Sequence, residues 1–384
     1  MLRWLTAGES HGPQHTVIVD GVPSGLELSA ADFRRDLSRR QGGYGRGDRQ
    51  KIEVDEAQIV GGVRGGVTLG GPVALVVANR DHANWVAEMT PEREGFQPKP
   101  VTRLRPGHAD LAGTLKYDHQ DVRNVLERSS ARETTARVAA GGLARALLGR
   151  FGIGIVSFVQ SIGSVSLAFD AVDIAAVTEE QIAASPVRCP DPAATRRMMA
   201  LIDEARDAGN TLGGTFRVVA TGCPVGLGTF TQWDRKLDAR LAAAVMSINA
   251  VKGVEIGIGF DGVGRSGREF HDQIDWREGR FAHLSNNAGG ITGGMTNGEP
   301  VDLRAAVKPI STMRRPLPSV DLVTKEHVQA HYERSDVCVV HAAGVIGEAM
   351  VALVLADAFL EKFGGDSIAE IKRNFEGYRQ QVSR

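Results

Sequence analysis

Apolar and polar residues alternate along Leu2 to Thr6 and His15 to Val19, and this period of two predicts a pair of strands near the amino terminus. Val73 to Ala78 is a continuous apolar run, as in a buried strand. Ile153 to Val159, Arg217 to Thr221, Val254 to Ile258 and Val301 to Val307 read as further strands. Helical spacing appears between them. Ser29 to Arg40 reads as an amphipathic helix with Ser29 as N-cap, Asp32 in its first turn, and Phe33 and Leu37 facing in. Pro192, at the first helical position after Asp191, opens a helix that Gly209 closes. Asp234 to Val251 carries Leu237, Leu241, Val245 and Ile248 on one face and ends at Asn249 and Ala250. The chain closes with an apolar helix from Ala342 to Phe363 and an amphipathic one from Asp366. Ile52 to Val60 alternates around a turn near Asp55, as a hairpin would. Residues 163 to 190 look like surface and carry no clear period.

Glu127 to Gly142, ERSSARETTARVAAGG, organises the rest. Its first half is polar and its second half small and apolar, which predicts a buried helix whose N-terminal end opens into a site. Ser129 or Ser130 can accept from first-turn amides, and Glu133 follows Ser130 at the spacing of a capping box. A helix start favours a bound anion, and Arg128 and Arg132 would stand beside it as bidentate phosphate donors. The plainer reading of the stretch is a capped helix with solvated arginines.

Composition narrows the class. With 384 residues, 42% of them hydrophobic, and no linker rich in Pro, Ser or charge, the chain reads as one domain over residues 1–384. Lys plus Arg (45) balance Asp plus Glu (46), so there is no global basic field to hold nucleic acid or an anionic membrane. Any anion must be caught by local arginine clusters. Cys189, Cys223 and Cys338 are odd in number and far apart, which suits a reducing cytoplasm and gives no metal-like spacing. The amino terminus has no apolar leader, and the apolar stretch Ala349 to Ala356 is too short for a membrane span.

Candidate chemistry sits in loops. GESHG at 8–12 matches a Gly-x-Ser-x-Gly nucleophile elbow with Ser10 as nucleophile, yet it leads into a strand rather than the helix an elbow needs. Serine hydrolysis is therefore the weak reading. His11, flanked by a serine and a glycine, is a better catalytic candidate than His15. RRQGGYGRGDRQK sets Arg39, Arg40, Arg46, Arg49 and Lys51 among four glycines, as in a cationic flap over an anion, or a solvated basic loop. RLRPGHAD places Arg105 and His108 around a Pro-Gly turn. GIGFDG at 257–262 fits Gly-x-Gly-x-x-Gly, but the residues after it predict no helix, which removes a dinucleotide fold. SNNAGGITGGMTNG, KPIST and ERSDVC add backbone amides, a cation, hydroxyls, Arg334 and Asp336.

GESHGP, RRQGGYGRG, RPGHAD, ERSSARETTARVA, GGMTNG, KPIST and ERSDV occur in the order and approximate spacing of the chorismate synthase family, and the resemblance covers essentially the whole chain. It implies an α+β fold of β-α-β sandwich type, with long central helices between antiparallel sheets, assembled as a homotetramer. It implies elimination of phosphate from 5-enolpyruvylshikimate 3-phosphate with reduced FMN, with NADPH entering only indirectly as a source of reduced flavin. By resemblance His11, His108 and Asp336 are catalytic. Ser10, Arg40, Arg46, Arg49, Arg105, Ser130, Arg132 and Arg334 contact substrate. FMN lies against Arg128, Ser129, Ser130, Asn249, Ala250, Gly293, Lys308, Pro309, Ile310, Ser311, Thr312 and Arg334, and Arg40 and Arg46 are possible NADP contacts. A non-catalytic flavin- or nucleotide-binding protein with structural histidines is the alternative from another class.

Overall fold

The structure, a computed structural model, describes residues 1–47, 52–277, 279–333 and 335–383. The first sheet is antiparallel in the order β1-β2-β4-β3, from β1 (Arg3–Ala7), β2 (Gln14–Asp20), β3 (Ala57–Gly61) and β4 (Val73–Ala78). Val17, Val19, Val73, Leu75 and Val77 point inward and are buried, while Leu5, Ile18 and Val60 stay exposed on the outer face. The second sheet has the order β8-β9-β7-β5-β6, from β5 (Gly154–Ile162), β6 (Val165–Ser166), β7 (Gly214–Thr221), β8 (Val251–Ile256) and β9 (Val301–Val307).

Between the sheets run α1 (Ala31–Gln41), α4 (Thr134–Gly149) and α7 (Val340–Phe363). The helices α2 (Asp110–Tyr117), α3 (Arg123–Ser129), α5 (Pro192–Asp207), α6 (Leu237–Met246) and α8 (Ile368–Val382) lie around this centre. The α4 helix packs on the first sheet and α7 on the second, so the fold is α+β with its helices sandwiched between antiparallel sheets. A helix apolar on every side must be covered on every side. α7 is long and apolar enough to cross a membrane, yet nearly all of it is buried between α4, α1, α6 and the second sheet. α4 and α7 approach closely where Gly141 meets Ala349: a Cβ at position 141 would come within 2.3 Å of the Ala349 Cβ.

Several local expectations change. The organising stretch is not one helix: α3 ends at Ser129, Ser130 is extended, and a single 3-10 turn (Ala131–Glu133) precedes α4. Ser130 Oγ accepts from the Arg132 amide at 3.3 Å, and Glu133 pairs forward with Arg137 instead of closing a capping box. Ser29 donates to Asp32 rather than capping its helix, which starts at Ala31. Residues 52–56 form no hairpin arm; Ala57–Gly61 pairs with β4 instead. The helix expected to reach Val251 stops at Met246, and Ala250, with a left-handed φ of 67°, then turns the chain into β8. Residues 163–190 hold a capped turn (Glu179–Ala183) and the buried Ile182, Val187 and Arg188. After β8, Gly259–Gly262 and Gly267–Phe270 are single helical turns, each too short to serve a dinucleotide.

Candidate active site

The break between α3 and α4 opens onto a cavity of about 400 Å³. Around it converge the β1–β2 loop, the end of α1, the loop before α2, the turns after α6 and β9, and the first turns of α7. Its lining includes Ser10, His11, Arg40, Arg46, Arg105, His108, Ser129, Ser130, Arg132, Asn249, Ala250, Lys308, Ile310, Ser311, Thr312 and Asp336. Three candidates from the sequence do not line it. Arg128 turns outward and donates to Thr6 O (2.9 Å) and Gly8 O (3.1 Å), and Gly293 and Pro309 are exposed elsewhere. Arg49 and Arg334 lie outside the described residues.

Each cavity histidine rests on a buried carboxylate that the sequence reading did not single out. His11 Nδ1 meets Glu127 Oε1 at 2.8 Å, and its backbone amide donates to Glu127 Oε2 at 2.8 Å. Its ring stacks on Trp85 at 4.0 Å. Burial works against the Glu127 charge, but the hydrogen bonds from His11 and the nearby charges of His11 and Arg123 hold the carboxyl below its ordinary range. His108 Nδ1 meets Asp110 Oδ1, and Asp110 also receives Arg105 Nε at 2.8 Å and Arg105 Nη2 at 2.9 Å. Desolvation would raise the Asp110 pKa; the bonds from Arg105 and His108 outweigh it and drive the value far below the carboxylate range.

Asp55, expected only at a turn, is the buried anchor of two cationic side chains. Arg40 Nη1 reaches Asp55 Oδ2 at 3.2 Å and Arg132 Nη1 reaches Asp55 Oδ1 at 2.5 Å. Arg132 also donates to Asn79 Oδ1 at 2.9 Å and Glu53 Oε2 at 3.3 Å, and Arg40 Nε donates to Thr134 Oγ1 at 2.9 Å. Burial pushes the Arg40 guanidinium down to about 10, against the pull of Asp55. Arg46 Nη1 pairs with Asp336 Oδ2 at 3.2 Å, and Asp336 Oδ1 accepts from the Gly47 amide at 2.6 Å. Glu333 on the same wall is held at about 2: burial opposes its charge, but His331, Arg123 and Arg105 favour it more.

GESHG forms no nucleophile elbow. The chain leaves it into β2, and Ser10 Oγ donates to Ser130 Oγ at 3.0 Å. Asn249 Nδ2 donates to Ser129 O at 3.0 Å while its buried Oδ1 has no partner among the described residues, an acceptor ready for a ligand N–H. Burial lowers the Lys308 pKa, and Lys252 adds to the effect.

Such a pocket, with arginines already oriented by carboxylates and two seated histidines, defines an α+β enzyme acting on a small molecule. The chain belongs to the chorismate synthase family: the family model described as chorismate synthase matches residues 2–360. It is 56% identical over 391 residues to a chorismate synthase of Geobacter sulfurreducens, covering 100% of this chain and 99% of that one. With a chorismate synthase of Rubrobacter xylanophilus the identity is 58% over 377 residues, covering 98% and 96%. A crystal structure of chorismate synthase superposes with a TM-score of 0.81 at 42% identity, covering 100% of this chain and 98% of that one.

Proposed function

We propose that this chain eliminates phosphate from 5-enolpyruvylshikimate 3-phosphate to give chorismate, as a carbon–oxygen lyase that requires reduced FMN. The observation that carries the reading is the joining, in one cavity, of two carboxylate-seated histidines with Arg40, Arg46, Arg105 and Arg132. The substrate carries one phosphate and two carboxylates, and four guanidinium groups suit that charge. In the reaction a C–O bond to phosphate breaks, an allylic C–H bond breaks and a C=C bond forms, so no net oxidation occurs.

Reduced flavin, when bound, supplies electron density to the substrate as phosphate leaves. The residues present fit such a group: Asn249 Oδ1 offers a buried acceptor, and Lys308, Ser129, Ser311 and Thr312 supply a cation and hydroxyls. His11 delivers a proton to the departing phosphate from Nε2, its Nδ1 being engaged by Glu127. His108, tied to Asp110 and Arg105, would balance charge on a bound reduced flavin. Asp336, held by Arg46 and the Gly47 amide, would assist loss of the allylic proton with flavin bound. Arg49 and Arg334 belong to the substrate site by the same reading; Arg128, Gly293 and Pro309, assigned to the flavin by resemblance, do not line the cavity of this chain. Arg40 and Arg46 are also candidate NADP contacts, although NADPH serves here only as an external source of reduced flavin. A cytoplasmic homotetramer is the proposed assembly, and the exposed apolar outer face of the first sheet supports association.

Anaerobic incubation with reduced FMN and the substrate should release one phosphate per chorismate formed. Flavin binding without phosphate release would favour the non-catalytic binder and refute the reading.

A further inference from the structure

We infer that Glu127 is a positioning residue, which fixes the tautomer and the aim of His11. The inference rests on the reading of His11 as proton donor to the departing phosphate. Residue 127 holds the β1–β2 loop by three bonds: its carbonyl accepts from the Ser10 amide at 2.9 Å, Oε2 from the His11 amide, and Oε1 meets His11 Nδ1. Only the last touches the ring. An ionised carboxylate can only accept, so Nδ1 carries a hydrogen in both the neutral and the protonated ring, and Nε2 is the nitrogen that gains the proton and then gives it to the phosphate. Glu127 lies below its ordinary pKa, which keeps it in that form.

The ring's remaining freedom is removed from its face. Trp85 stacks on it with an interplanar angle of 29°, and the Arg123 guanidinium lies 4.8 Å from the Trp85 ring centre. Arg123 Nη1 also donates to Glu127 Oε1 at 3.0 Å, so one arginine braces both neighbours of His11. The other titratable groups against His11 are Asp81, whose Oδ2 is 4.0 Å from Nε2, and His82, whose Nδ1 meets the His11 carbonyl at 2.9 Å. Three donors converge on two Glu127 oxygens. Glutamine has one acceptor oxygen and cannot serve both the amide and the ring of His11. The bystander reading, in which Glu127 only anchors the loop, predicts a loss of stability with no change of tautomer.

The decisive measurement is the ¹⁵N spectrum of His11 in the ligand-free protein with its ring neutral, assigned with His11→Ala and repeated in Glu127→Gln. The parent should show the Nδ1–H form, and the variant a mixture or the Nε2–H form. Phosphate release in Glu127→Gln should show kcat lower by roughly 100- to 10,000-fold, the range for a general acid that is lost or held in the wrong tautomer, with KM little changed. In the His11→Ala background the second substitution should add nothing further. An Nε2–H form in the parent overturns the inference even if the variant fails to fold. So does an unchanged tautomer in Glu127→Gln, or a further loss in the double variant. If the parent releases no phosphate, the proposed reaction fails, while the ¹⁵N spectra still decide what Glu127 does.

Discussion

Replacing Asp55 by alanine tests whether the cavity's cations are held in place before a ligand arrives. Arg40 comes from the end of α1 and Arg132 from the turn before α4, and both spend a guanidinium nitrogen on the Asp55 carboxylate, whose side chain is fully buried. Removing that carboxylate takes away the ion pair of the buried Arg40 and leaves Arg132 paired with Glu53 alone among the described residues, and breaking a buried pair in this way costs about 3–5 kcal/mol. The unfolding entropy of 384 residues, at about 2.1 cal/mol/K each, is roughly 0.8 kcal/mol/K, so the melting temperature should fall by about 4–6 °C. Differential scanning fluorimetry measures this directly. Inorganic phosphate should restore more of the loss in Asp55→Ala than it adds to the parent, because an anion can take the vacated place between the two cations. A variant melting within about 1 °C of the parent would show that the pair does not depend on Asp55. Equal protection of both proteins by phosphate would show that Arg40 and Arg132 do not form an anion site.

His11→Ala and His108→Ala should each cut phosphate release by about 100- to 10,000-fold while the fold persists; near-normal turnover in either removes that histidine from the mechanism. Asp336→Asn keeps an acceptor for the Gly47 amide but drops the charge that holds Arg46. FMN and substrate titrations should stay near the parent while single-turnover rates slow, and a parental rate at saturation would rule out a catalytic role. Glu348, buried in α7 among Arg39, Arg145 and Arg188, is held below its ordinary pKa of 4.5 by those charges despite desolvation. A depressed carboxylate stabilises the fold above its unfolded pKa and loses that contribution as pH falls below it. Urea midpoints should therefore drop on acidification below pH 4.5 in the parent and less steeply in Glu348→Gln; parallel slopes would refute the assignment.

Periodicity carried much of the fold because the buried residues announce themselves. The inward Val17 and Val19 of β2, the apolar run of β4 and the mostly apolar α7 were visible as pattern. The break at Ser130 was not visible, since SSARETT holds no Gly or Pro. Long-range bonds from Ser10 to Glu127 and Ser130 fix that turn, and local propensity cannot report them. The outward turn of Arg128 follows from the same break. At the site, the cationic and imidazole residues stood out by motif, while their partners did not. Asp55, Asp110 and Glu127 are charged residues in polar surroundings, and only the fold shows that they are buried. The one local hint was Asp110 two residues after His108, at the start of a helix.

The contact between Gly141 and Ala349 acts as a pivot for the cavity. Thr134 lies seven residues before Gly141 and Ala342 seven before Ala349, and both line the cavity. At about 1.5 Å per residue, each helix forms a lever of roughly 10 Å from its pivot to the cavity wall. A side chain added at the pivot would tilt both levers, together with the sheet packed on each. A Cβ at position 141 would also come within 2.6 Å of the Ala349 Cα, so a smaller residue at 349 cannot make room for it, and Gly141 sets the spacing of the two levers although it does not line the cavity.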